Sequence, residues 1–117
     1  MKEVTIYHNP ACGKSRGALE ILGQRDIDCE VVEYLKTPLD RSTLERILGL
    51  LSSPPSELVR KDKRFRELGL DADAYTTEAT VIDLLLAHPE LMERPVVIKG
   101  NRAVIARPSE RVLELLD

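Results

Sequence analysis

Val4-Thr5-Ile6-Tyr7-His8-Asn9-Pro10-Ala11-Cys12-Gly13-Lys14-Ser15 reads as a strand that runs into a loop and then into a helix. Val4 to Tyr7 are β-branched or aromatic at nearly every position, the composition of a strand. Pro10 removes a backbone donor and Gly13 relaxes the chain, so His8 to Gly13 forms the loop. From Lys14 onward Ser15, Ala18, Leu19 and Leu22 share one helical face, and Gly23 is the stop. A second strand follows over Cys29 to Leu35, centred on Val31-Val32, before Thr37-Pro38 breaks the chain. A strand–helix–strand unit needs a right-handed crossover, which makes its two strands parallel.

Outward from that unit, the middle of the chain is helical. Ser42-Thr43-Leu44-Glu45 has the pattern of a capping box, and Leu44, Ile47, Leu48 and Leu51 continue it as an apolar stripe. Ser53-Pro54-Pro55 opens a further helix carrying Leu58, Val59 and Arg60. Thr76-Thr77-Glu78 opens another, with Ala79, Ile82, Leu85 and Leu86 facing inward until His88-Pro89 ends it. Val96-Val97-Ile98 and Ala103-Val104-Ile105 are two strands about the turn Gly100-Asn101, and a hairpin is antiparallel. Pro108-Ser109-Glu110 then caps a terminal helix bearing Val112, Leu113, Leu115 and Leu116. The order βαβ, a helical insert over approximately 40–90, then ββα, predicts an α/β fold with a mixed four-stranded sheet. That is the thioredoxin-like arrangement.

A chain of 117 residues suits one domain spanning 1–117, and its single Phe and absent Trp leave the core to aliphatic side chains. A net charge of −3 argues against a general nucleic-acid binder while leaving room for a local basic pocket. No apolar run approaches the roughly 20 residues that span a bilayer, so no membrane partner is expected. Met1-Lys2-Glu3 leads straight into the first strand without the look of an export signal, which points to the cytoplasm and to two reduced cysteines.

The chemistry concentrates on Cys12. At the start of a helix the first N–H groups lack intrahelical partners and the macrodipole favours negative charge. Both effects stabilise the thiolate, which is the nucleophilic form. Gly13 lets the backbone approach an anion, so the amides from Gly13 to Ser15 can cradle an oxyanion. His8, Lys14 and Arg16 add positive charge or donors beside it, with His8 able to stabilise or orient the thiolate. A buried structural cysteine is the plain alternative, and the whole strand–Pro–Cys-Gly–basic pattern speaks against it.

Spacing removes two neighbouring chemistries. A dithiol oxidoreductase carries a second Cys three positions on, where Ser15 stands; a cysteine phosphatase loop carries Arg six positions on, where Ala18 stands. An external thiol must then complete any redox cycle. Cys29 opens a strand and reads as a small hydrophobe, and His88 sits at a helix end where a charge–dipole role suffices. These four cysteines and histidines lack the paired short spacings of a zinc site, so no metal and no bound cofactor is expected.

His8-Asn9-Pro10-Ala11-Cys12-Gly13-Lys14-Ser15-Arg16 resembles the active-site signature of the glutaredoxin-coupled arsenate reductase family. The similarity continues through Arg60, Glu93-Arg94-Pro95-Val96-Val97 and Ala106-Arg107-Pro108-Ser109-Glu110, so it covers essentially the whole chain. Met92-Glu93-Arg94-Pro95 is also similar to the form found in arsenate-reductase-like relatives. The resemblance implies a cytosolic reductase with catalytic Cys12, oxyanion-handling Arg60, Arg94 and Arg107, glutathione as co-substrate, glutaredoxin as partner, and a cis bond before Pro95.

Elementary electrostatics points the same way, because a thiolate attacking an oxyanion meets like-charge repulsion that guanidinium groups relieve. Arg94 and Arg107 each precede a Pro, which biases them towards extended backbone at the two ends of the hairpin. The plain alternative for each arginine, Arg60 above all, is a solvated surface charge. Two other functions use the same features: a glutathione-dependent thiol reductase of another small substrate, and a redox regulator of related fold that binds RNA polymerase. Ser15 in place of the Cys of a Cys-x-x-Cys switch disfavours the regulator.

Overall fold

A computed structural model describes residues 2–116. Four strands form one sheet in the order β2-β1-β3-β4, where β1 is Val4–His8, β2 Cys29–Glu33, β3 Val96–Lys99 and β4 Arg102–Ile105. β1 pairs with β2 in parallel, Val4 opposite Cys29, and with β3 antiparallel, Tyr7 opposite Val96. β3 and β4 are an antiparallel hairpin whose turn places Gly100 at φ +60°, a conformation that glycine adopts without a Cβ penalty. Helix α1, Gly13–Gln24, makes the crossover between β1 and β2. This mixed sheet is thioredoxin-like, as expected from the order of elements.

The chain divides into two compact units. The first joins the chain up to Thr37 with the chain from Arg94 onward, and the second runs from Pro38 to Glu93. In the first, Val4 and Ile6 of β1, Val97 of β3 and Val104 of β4 share one sheet face and pack with Ala18 and Leu22 of α1 and with Val112 and Leu115. Leu22 is fully buried there; burying one such side chain contributes about 1.5–3 kcal/mol. β2 lies at the sheet edge, where Val31 remains 44% exposed.

The second unit contains α2 (Arg41–Leu50), α3 (Lys63–Glu67) and α4 (Glu78–Ala87), with short 3-10 turns at Pro55–Leu58, Ala72–Ala74 and Pro89–Leu91. Val59 and Met92 form an isolated antiparallel bridge, and Glu93 N–H donates to the Leu58 carbonyl at 2.8 Å. Among the described residues no helix is long and apolar enough to cross a membrane.

Several local expectations need correction. α1 begins at Gly13 and β2 stops at Glu33, with Leu35 exposed beyond it. Ser42 does not cap α2: the Asp40 carboxylate does, accepting from the Thr43 amide at 2.9 Å and the Ser42 hydroxyl at 3.0 Å. A carboxylate two residues earlier takes the exposed amides first, leaving Ser42 inside the helix. The helix expected after Ser53 is a single 3-10 turn, because Val59 and Arg60 are drawn into extended pairing with Met92 and Leu91. In α4 the buried residues are Val81, Ile82, Leu84 and Leu85, while Ala79 and Leu86 face outward. The box on Thr77 closes with Thr80. The terminal helix is a 3-10 segment, Ser109–Leu115, and Ser109 makes no cap.

Candidate functional site

The parallel β1/α1 connection places the loop Asn9–Cys12 at the C-terminal end of β1, and Cys12 is the N-cap residue of α1. The loop is held by its own polar groups. The Asn9 side-chain oxygen accepts from the Ala11 amide at 3.0 Å, and the Cys12 amide donates to the Asn9 carbonyl at 3.0 Å. Arg16, one turn into the helix, donates from Nη1 to the Pro10 carbonyl at 2.9 Å. A Cβ at Gly13 would meet only Arg16 Nη2, at 3.7 Å, an ordinary contact distance.

Ser15 is wholly buried. Its hydroxyl accepts from the Asn9 amide at 3.0 Å and pairs with His8 Nδ1 at 2.6 Å. His8 is itself buried; desolvation lowers its pKa, opposed by nearby Glu33 and reinforced by Arg16. The imidazole therefore sits behind the loop as a brace. The Ser15 hydroxyl is thus occupied inside the protein, while its main-chain amide faces the Cys12 sulfur.

The antiparallel hairpin brings its two ends together. Pro95 O accepts from the Ala106 amide at 2.9 Å, so Arg94 and Arg107 emerge side by side, and β1 pairing with β3 sets that end next to the Cys12 loop. The Arg94-Pro95 and Arg107-Pro108 bonds are both cis. Arg107 Nη1 donates to the Arg94 carbonyl at 2.9 Å and lies 3.7 Å from Cys12 Sγ. Burial of the half-buried Cys12 thiol works against ionisation. The Ser15 amide, the Arg94 and Arg107 guanidinium groups and the Lys14 amide outweigh it, lowering the pKa from 9.0 to about 7. The two amides act on the sulfur by proximity, without the geometry of a full capping hydrogen bond.

Cys29 behaves differently. Burial, then Asp28 and Glu3, raise its pKa, and its Sγ faces the Ile27 carbonyl at 3.5 Å. It packs on the core as a small hydrophobe. Arg60 belongs to the second unit, where its guanidinium bonds Asp62 at 2.9 Å and Glu93 at 3.2 Å and its amide donates to the Leu91 carbonyl. His88 Nδ1 stands 3.4 Å from Glu90. No group of three or more His, Cys, Asp or Glu side chains among the described residues has the geometry to hold a metal ion.

Residues 7–115 match the ArsC family, a span that includes Cys12 and all three arginines. The chain belongs to the ArsC family. It is 44% identical over 117 residues to the Escherichia coli protein YfgD, covering 98% of each chain. It is 43% identical over 119 residues to an arsenate reductase of Neisseria meningitidis, covering 99% of this chain and all of that one. An arsenate reductase structure from Vibrio cholerae superposes with a TM-score of 0.87 at 34% identity, covering 97% and 98% of the two chains. Sequence reasoning gave no role to Asn9 and only a capping role to Ser109; the Asn-Pro pair is a turn signal that would have flagged the first.

Proposed function

We propose that this chain is an arsenate reductase in which Cys12 is the nucleophile and Arg94 and Arg107 hold the oxyanion. The observation that carries the reading is a thiol with a pKa of about 7 facing two guanidinium groups. Arsenate is a small oxyanion, and forked donors both bind its oxygens and offset repulsion with the thiolate. The amides of Gly13 to Ser15 at the start of α1 offer further donors, and His8 braces the loop through Ser15.

In the proposed cycle the Cys12 thiolate attacks arsenic(V), forming an S–As bond while one oxygen leaves as water. Glutathione then attacks, and glutaredoxin clears the resulting mixed disulfide as arsenite leaves. The two electrons that convert arsenic(V) to arsenic(III) come from thiols that end as a disulfide. Ser15 at the third position after Cys12 supports an external donor. The cytoplasm, where glutathione keeps thiols reduced, is the compartment this cycle needs. Arg60 takes its substrate role from the family resemblance, and Arg60→Ala tests it: an unchanged KM for arsenate would remove Arg60 from the set.

The deciding assay is arsenite formation by purified protein from arsenate, glutathione and glutaredoxin, with glutathione reductase and NADPH regenerating the donor. Turnover that vanishes when glutathione or glutaredoxin is omitted is the expected result. Equal turnover with thioredoxin and no glutathione would overturn the donor assignment. No arsenite under any donor would overturn the substrate.

A further inference from the structure

The 3-10 segment that follows Arg107 is tied to the first turns of α1 at two points. Ser109, almost fully buried, donates its hydroxyl to the Lys14 carbonyl at 2.7 Å. One turn further along α1, a Cβ built on Gly17 would lie 2.6 Å from Ser109 Oγ and 3.1 Å from Ser109 Cβ, closer than packed atoms allow. Lys14 and Gly17, three apart, share one helical face, so the helix offers a carbonyl and a gap at the same place. Gly23 in the same helix meets nothing within 4 Å. Only Gly17 must be small.

This clamp lies two residues from Arg107, whose Nη1 reaches both the Arg94 carbonyl and the Cys12 sulfur. The nucleophile stands at the N-cap position of α1, and its cationic partner sits on the segment clamped to that same helix. We propose that Ser109 is a positioning residue, which with Gly17 sets the distance between the Arg107 guanidinium and Cys12 Sγ. It rests on the reading of Cys12 and Arg107 as a working pair, and it adds the device that holds them in register. A long, flexible arginine side chain loses rotamer entropy when it is held. Anchoring its backbone two residues away limits where the guanidinium can go.

The test is the pH profile of Cys12 alkylation by iodoacetamide, made in a Cys29→Ser background so that one thiol reports. It needs no arsenate, so a protein that reduces no arsenate still tests the clamp. In the parent the midpoint is expected near 7. Ser109→Ala removes only the hydroxyl and should move it upward by about half a unit to one unit. Gly17→Ala should move it further, while Gly23→Ala should leave it in place. In an Arg107→Ala background, Ser109→Ala should add nothing, since the clamp acts through that guanidinium. An unchanged midpoint in Ser109→Ala, or the same shift on top of Arg107→Ala, would overturn the proposal. Should Gly17→Ala fail to fold, the Ser109 and Arg107 cycle alone carries the decision.

Discussion

Arg107 Nη1 stands 3.7 Å from Cys12 Sγ although the two residues are 95 positions apart in the chain. The contact favours the thiolate and, in the proposed reaction, the anion that the thiolate attacks. Arg107→Ala should therefore raise the Cys12 pKa and lower kcat/KM for arsenate together. Losing one charge-assisted contact costs about 1.5–3 kcal/mol, roughly ten- to hundredfold. Arg107→Lys should recover part of the loss, since an ammonium keeps the charge without the fork. Kinetics and a thiol titration on the same preparations check both halves.

Cys12→Ser should abolish arsenite formation and leave the far-ultraviolet circular dichroism unchanged, because a serine hydroxyl does not ionise near neutral pH. Cys29→Ser should retain most of the activity, since that sulfur packs on the core and its pKa is raised. A Cys29→Ser enzyme that stops after one turnover would show an internal disulfide relay in place of external thiols.

The pH dependence of stability follows from the sign of the Cys12 shift. Its folded pKa, about 7, lies below the usual 9.0, so the unfolded chain holds this proton to higher pH. The thiolate's contribution is complete above about pH 9 and is lost as pH falls through about 7. The difference in Tm between the native chain and Cys12→Ser should accordingly widen from pH 7 to pH 9. A constant difference across that window would contradict a stabilised thiolate.

The start of α2 separates two capping schemes. Asp40→Ala should lower Tm clearly, since the carboxylate holds the Thr43 amide and the Ser42 hydroxyl. Ser42→Ala, which keeps the Asp40–Thr43 bond, should change Tm far less. Thermal unfolding of the two variants side by side decides between them.

The β1–loop–α1 unit was legible because its signals are local: β-branched residues, a Pro-containing loop, then a helical face of Ser15, Ala18 and Leu22. The hairpin was equally plain from two aliphatic runs about Gly100. Local chemistry also singled out Cys12, since a strand-to-helix junction favours a thiolate wherever it occurs. Helix ends were read less well, because several nearby side chains can compete for the same amides, and Asp40 prevailed over Ser42.

What the sequence by itself determined, then, was a cysteine at the strand-to-helix junction, the order of elements and the two Arg-Pro pairs. The tertiary structure alone decided which groups surround the sulfur. Arg94 and Arg107 meet Cys12 because β3 pairs with both β1 and β4, bringing both hairpin ends to the loop that follows β1. Ser109 reaches Lys14 across the same distant segments. Such contacts depend on strand pairing and close packing between segments distant in the chain, and no local periodicity encodes them.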